Sequence, residues 1–222
     1  MPRLTATDPE VRPEAALAAV ARRKVDIAEV RSAARGCQAC DLWERATQTV
    51  FGSGPVPARL MLVGEQPGDH EDVRGEPFVG PAGGILDRAL EEAGIDRESV
   101  FVTNVVKHFK WRPAPSGKRR LHESPNRAEV GACLPWVETE LALVRPEALV
   151  LLGATAAKAL VGPEVSVTRD HGVPLASKLA PLVVATIHPS AILRARGAAA
   201  REAGLAGLLG DLRAVAEHLE RA

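Results

Sequence analysis

Apolar and polar positions fall in short blocks along the chain. Residues 59–63, 99–103, Ala148–Leu152 and Leu182–Thr186 are dominated by Leu, Val, Ala, Met and Phe. Apolar runs of this length, without in–out alternation, predict strands buried on both faces. Between them lie segments mixing Ala and Leu with charged residues: 13–35, 86–93, 127–143, a stretch opened by Gly153-Ala154, 191–194 and 201–221. These predict helices, with Gly36 and Gly94 as stops for the first two. Residues 107–125 have no apolar period and predict a long loop. Strands alternating with helices give an α/β fold. The expectation is a three-layer α/β/α sandwich around a central four-stranded, mostly parallel sheet. The 222 residues suit one domain, with residues 1–12 as a loose lead into the first helix.

The polar residues gain meaning from this alternation. Glu65, Gln66 and Asp69 follow the first strand, Asn104 the second, Gly153 the third and His188 the fourth. In an open parallel sheet the carboxyl ends of the strands share one edge, where ligands bind. Phe78 precedes Gly80-Pro81-Ala82-Gly83-Gly84, small residues that permit close approach. In His188-Pro189-Ser190-Ala191-Ile192-Leu193-Arg194, proline suits the first turn of a helix. His188 there could donate toward developing negative charge. The long loop carries Phe109, Trp111 and Lys118-Arg119-Arg120-Leu121-His122. Three adjacent cations can contact phosphates, and aromatic rings can stack on unpaired bases.

Composition changes this picture in two places. Lys+Arg and Asp+Glu balance at 28 each, so a nucleic-acid partner would rest on the local basic run and not on net charge. The cysteines number three, Cys37, Cys40 and Cys133, which argues against a disulfide framework. Cys37 and Cys40 have the C-x2-C spacing of metal ligands, Cys133 makes a third, and His108 is the best candidate for a fourth. Spacing alone leaves zinc and an iron–sulfur cluster equally open. No apolar run reaches membrane-spanning length and MPRLTATDPE is not a signal peptide, so a cytoplasmic protein without membrane contact is expected.

Taken in order, these motifs resemble the uracil-DNA glycosylase superfamily, specifically its iron–sulfur branch, over about residues 37–194. Gly64-Glu65-Gln66-Pro67-Gly68 together with Lys118-Arg119-Arg120-Leu121-His122 resembles the UdgX group, whose basic loop commonly reads KRRIH; Leu121 replaces the isoleucine. The resemblance implies a [4Fe–4S] cluster on Cys37, Cys40, His108 and Cys133. It implies a pocket for a uracil flipped out of DNA, single-stranded by preference. Phe78 would stack on the base, while Asn104 and Gln66 would bind it. His188 would stabilise the departing uracil anion. Lys118, Arg119, Arg120, Ser190 and Arg194 would hold the DNA. His122, oriented by Glu65, would attack the sugar C1′ and stay attached. The protein would act as a monomer, joining the nucleoid when at work.

Two alternatives stand beside that reading. One is a conventional glycosylase that uses water and turns over. The other is a zinc-stabilised single-strand-binding module without chemistry. Asp69 and Asp72 receive no role.

Overall fold

A computed structural model describes residues 14, 16–18, 25–117 and 119–221. The chain divides into two compact units, each assembled from three stretches. The sheet unit comprises Ser53–Gly64, Phe78–Thr103 and Val144–Ala222; the hairpin unit comprises Met1–Gly52, Glu65–Pro77 and Asn104–Leu143.

The sheet unit holds the four expected strands: β1 (Leu60–Gly64), β2 (Val100–Asn104), β5 (Ala148–Leu152) and β6 (Leu182–Thr186). Their order is β2-β1-β5-β6, with β1 parallel to β5 and β5 parallel to β6. Every residue of the four strands is buried, which is why they read as unbroken apolar runs. Leu60, Leu62, Val100, Val102, Val150, Leu152 and Val184 share one core cluster with residues of the flanking helices. That face packs on α3 (Pro81–Glu92), α7 (Pro189–Arg194) and α8 (Ala198–Arg221). Met61, Val63, Leu149 and Leu151 alternate with the first set and are fully buried too. Helix α5 (Ala154–Leu160) packs on β5 and β1. At roughly 1.5–3 kcal/mol per fully buried aliphatic side chain, this core is the main source of the unit's stability. Single-residue bridges lie along both edge strands, Ser53 on Val102 and Pro174 on Val184, so neither edge is left as a long open template.

The hairpin unit is built differently. Helix α1 (Ile27–Ala34) starts from an Asp26 capping box, in which Asp26 Oδ1 accepts from Glu29 N at 2.9 Å and Glu29 Oε2 from Asp26 N at 3.1 Å. The single helix expected over 13–35 is therefore corrected. Residues 14 and 16–18 are helical, but Val25 and the extended Asp26 interrupt any run into α1, and residues 19–24 lie outside the described set. Alanine propensity favoured one helix; the Asp26 cap selects a new start.

The loop expected over 107–125 is corrected as well. It contains an antiparallel hairpin, β3 (Trp111–Pro113) on β4 (Arg120–His122), with Trp111 opposite His122. Three-residue strands rich in charge and proline leave no period to detect. Helix α2 (Asp69–Arg74) stands where only a turn was expected, and α6 (Val167–Asp170) was not foreseen. Helix α3 begins at Pro81, five residues ahead of the expected start, with two glycines in its first turn. Helix α4 (Arg127–Val144) fits its expected span closely. No helix among the described residues is long and apolar enough to cross a membrane.

Candidate functional site

The two units present separate sets of functional side chains. In the sheet unit the set centres on His188, which caps α7. Its Nδ1 accepts from Ser190 N at 3.1 Å and lies 2.8 Å from Ser190 Oγ. A backbone N–H can only donate, so Nδ1 must be the acceptor. A neutral His188 then carries its proton on Nε2, the form able to donate to an oxyanion.

Phe78 lies near His188, ring centroids 6.1 Å apart and planes inclined by 29°. Phe78 is buried at a φ of 57°, a left-handed conformation costly for a bulky residue. Two glycines make room for this arrangement. A Cβ on Gly83 would collide with the Phe78 carbonyl, and one on Gly153, at φ 88°, would sit 2.9 Å from His188 Cβ. The Gly-rich segment after Phe78 therefore serves close packing onto Phe78. Arg194, at the end of α7, is exposed.

In the hairpin unit the set centres on His122, whose side chain is 43% exposed. Gln66 holds it. Gln66 Oε1 accepts from Lys110 N at 3.1 Å, which fixes the amide orientation, and Nε2 then faces Glu123 O at 2.9 Å and His122 Nε2 at 2.9 Å. A neutral His122 accepts at Nε2 and carries its proton on Nδ1. A charged His122 donates from Nε2 instead, with Glu65 Oε1 3.6 Å away as counter-charge. Gln66 thus spends its side chain on the hairpin, leaving its backbone for other partners. Asn104 is buried, and its Oδ1 has no hydrogen-bond partner among the described residues. An orphaned buried acceptor is costly, and it marks a place where a donor is expected.

The basic run is unequal. Lys118 lies outside the described residues. Arg119 is exposed. Arg120 is tied inward: its Nε meets Asp69 Oδ1 at 2.5 Å and its Nη1 meets the buried Asp72 at 2.6 Å. It also lies over the Phe109 and Trp111 rings, 5.4 and 5.5 Å from their centroids. Asp72 further accepts from Thr47 N and Thr47 Oγ1. Asp69 and Asp72 therefore anchor the hairpin that carries His122, a task the sequence did not reveal.

The four proposed metal ligands also belong to the hairpin unit. Cys37, Cys133 and His108 are buried and Cys40 is partly so. Trp136 Nε1 donates to Cys37 Sγ and Lys107 N to Cys133 Sγ, both at 3.2 Å. Thr49 Oγ1 donates to Ala34 O at 2.9 Å, which leaves it to accept from His108 Nε2 at 2.9 Å and directs the His108 lone pair to Nδ1. Burial pushes the Cys133 thiol up to about 12, opposed by the Lys107 charge and N–H and reinforced by Cys37 and Cys40. Burial also raises Cys40, and drives His108 down to about 4 against the pull of Asp72. The three thiols feel one another electrostatically, yet no three His, Cys, Asp or Glu among the described residues form a single-ion site. Sulfurs that accept N–H bonds, beside a histidine fixed in one tautomer, suit a metal-bound thiolate set.

A family model described as "Uracil DNA glycosylase superfamily" matches residues 51–213. The chain belongs to the uracil DNA glycosylase superfamily. A type-4 uracil-DNA glycosylase of Thermotoga maritima is 40% identical over 161 residues, covering 72% of this chain and 79% of that protein. One from Pyrobaculum aerophilum is 39% identical over 137 residues, 62% of this chain and 65% of its own length. A type-5 uracil-DNA glycosylase of Thermus thermophilus is 36% identical over 118 residues, 50% of this chain and 53% of its own. The superfamily match starts at Phe51, so it leaves out the Cys37/Cys40 pair and includes His108 and Cys133.

Sequence reasoning singled out His122, Glu65, Asn104, Phe78 and His188 because each follows a strand or sits in a motif. It missed Thr49, Lys107, Trp136 and Glu140. A signal was present for two of these: Cys133, Trp136 and Glu140 share one face of α4 at helical spacing.

Proposed function

We propose that this chain is a uracil-DNA glycosylase that flips uracil from DNA, preferably single-stranded, and is captured covalently through His122. The observation that carries the reading is the His122–Gln66–Glu65 cluster, a partly exposed imidazole met at Nε2 by an amide and flanked by a carboxylate. The C1′–N1 bond breaks and its electron pair leaves with uracil. His188 Nε2–H stabilises the charge that develops on the uracil oxygen. Asn104 Oδ1 is the acceptor for the uracil N3–H, and Phe78 offers a stacking face. His122 Nε2, released from Gln66, forms the bond to C1′. The ring then loses its Nδ1 proton to solvent. Glu65 supports the positive charge that ring and sugar carry on the way. An alkyl imidazole is a poor leaving group with no second nucleophile to displace it, so the adduct persists.

The donor set also fits a [4Fe–4S] cluster held by Cys37, Cys40, Cys133 and His108. It would serve as a structural brace, tying the segment after α1, the turn after β2 and α4 together. The resemblance to the UdgX group rests on Gly64–Gly68 together with the His122 loop, and on His108 where other iron–sulfur members carry a cysteine.

Turnover with water as nucleophile is the second reading. The Gln66 amide against His122 Nε2 favours it. In that case Glu65 positions the water and His122 only contacts DNA.

A denaturing gel separates the two. Protein is mixed with a labelled single-stranded oligonucleotide carrying one uracil, boiled in detergent and run beside His122→Ala and a thymine control. A shifted band that requires both uracil and His122 establishes capture. Alkali-sensitive strands without a shifted band establish turnover. Neither signal, from protein that retains its metal, removes the glycosylase reading and leaves a binding module.

A further inference from the structure

We infer that Lys107, paired with Glu140, is a positioning residue that sets Asn104 for base recognition; this rests on the base-reading role proposed for Asn104. Lys107 is a fully buried lysine in the turn that follows β2. Its Nζ reaches back three residues to donate to Asn104 O at 2.6 Å. The same Nζ pairs with Glu140 Oε2 at 2.6 Å, both side chains having no exposure. Glu140 in turn accepts from Gly52 N through Oε1 at 2.8 Å. The ammonium lies 5.4 Å from the centroid of the Phe51 ring, and the Trp136 ring meets the other partner of that contact edge-on.

A buried ion pair is poor value for stability alone, because desolvating two charges offsets their attraction, and apolar residues of like volume often serve as well. Its presence here calls for a geometric reason. The pair closes a ring of chain from Asn104 to Lys107 and fixes it to α4. Two more bonds hold the same turn: Val50 N donates to Lys107 O at 2.8 Å, and Val106 N donates to Glu65 O at 3.0 Å. With all of these in place the Asn104 backbone has no slack, and its carboxamide keeps an unpaired Oδ1 in a buried setting. Without the Lys107 bolt, that carboxamide could turn to satisfy its own acceptor, and the base would lose its partner.

The experiment compares wild type, K107M and K107M/E140Q, each also in an N104A background. K107M leaves Glu140 buried without its lysine and serves only if it folds. K107M/E140Q removes both charges, keeps the volume and leaves an amide oxygen for Gly52 N. The readouts are the single-turnover uracil-excision rate, the affinity for a uracil-free oligonucleotide, and a crystal structure of the double variant. The expected result is a rate at least about 10-fold lower at an affinity within about twofold of wild type. In the N104A background the same replacement changes the rate by less than about twofold, because Lys107 acts through Asn104. The crystal structure shows the Asn104 carbonyl or carboxamide displaced. An unchanged rate, or an equal loss in both backgrounds, overturns the inference. An unmoved Asn104 overturns it irrespective of activity. Wild type that excises no uracil counts instead against the glycosylase reading, and the crystal structure still decides where Lys107 holds Asn104.

Discussion

His122 and His188 show two ways of holding an imidazole. His188 sits at a helix start, gripped on Nδ1 by a backbone N–H that can only donate, with Phe78 beside it. That N–H fixes the tautomer of the neutral ring and leaves Nε2–H as its one donor. His122 ends a three-residue strand, is 43% exposed, and is met at Nε2 by a side-chain amide and a carboxylate. A donor to an oxyanion must be rigid, because the benefit comes from pre-arranged charge. A nucleophile must be accessible and releasable. On the proposed reading the same residue type would serve two tasks, held at a backbone N–H in one case and by side chains in the other.

Substitutions at the two histidines and at the residues around them test this contrast. The largest effect is expected from His188→Ala, which should slow excision by about 10²–10³-fold, as for loss of an oxyanion donor, while DNA affinity stays near wild type. Single-turnover assays on a uracil oligonucleotide decide it; a loss below about tenfold would mean that His188 is not the donor. Gly83→Ala comes next. Its new Cβ would meet the Phe78 carbonyl, and the collision should cost about 1–3 kcal/mol or more, read as a lower thermal midpoint together with lost excision. An unperturbed midpoint would show that the Phe78 backbone can yield.

The third comparison sets two neighbours against each other. Arg120→Ala leaves the buried Asp72 without its cation and should destabilise by about 3 kcal/mol, at the low end for a broken buried pair because Arg120 is partly exposed. Its DNA affinity should keep the wild-type salt slope. Arg119→Ala should leave stability within about 0.5 kcal/mol but lower the slope of log affinity against log salt by about 1. Reversal of these two results would make Arg120 the phosphate contact. The smallest effect is expected from Ser190→Ala, which removes Oγ but keeps the backbone donor to His188. A change in excision of roughly 1 kcal/mol or less, about fivefold, is expected. A loss equal to that of His188→Ala would show that the hydroxyl and not the N–H sets the tautomer.

Much of the fold was legible because its strands are buried on both faces, and such strands announce themselves as apolar runs. Helix ends were less legible. The α3 start at Pro81 was hidden by Gly83 and Gly84, which look like loop residues but are needed by Phe78. The β3–β4 hairpin was invisible because its stability comes from Arg120, Asp69 and Asp72 across the hairpin unit and not from local propensity. At the candidate site, residue identities were readable while their states were not. That Gln66 is committed to Lys110, Glu123 and His122, or that Arg120 is neutralised, depends on partners 44 to 57 positions away in the first case and 48 to 51 in the second.

Local pattern alone thus specifies the strand–helix alternation, the strand ends where chemistry could gather and the kinds of side chain found there. These follow from local pattern, since burial on both faces, a chain break at Gly or Pro and a polar residue after a strand are each encoded within a few positions. What the sequence leaves open, and the folded chain supplies, is which partners His122 and His108 meet, which arginine is spent on anchoring, and which carboxylate accompanies the lysine buried behind Asn104. Those are properties of pairs distant in sequence. A hydrogen bond or ion pair takes its sign and strength from the partner's position and from the water excluded around both.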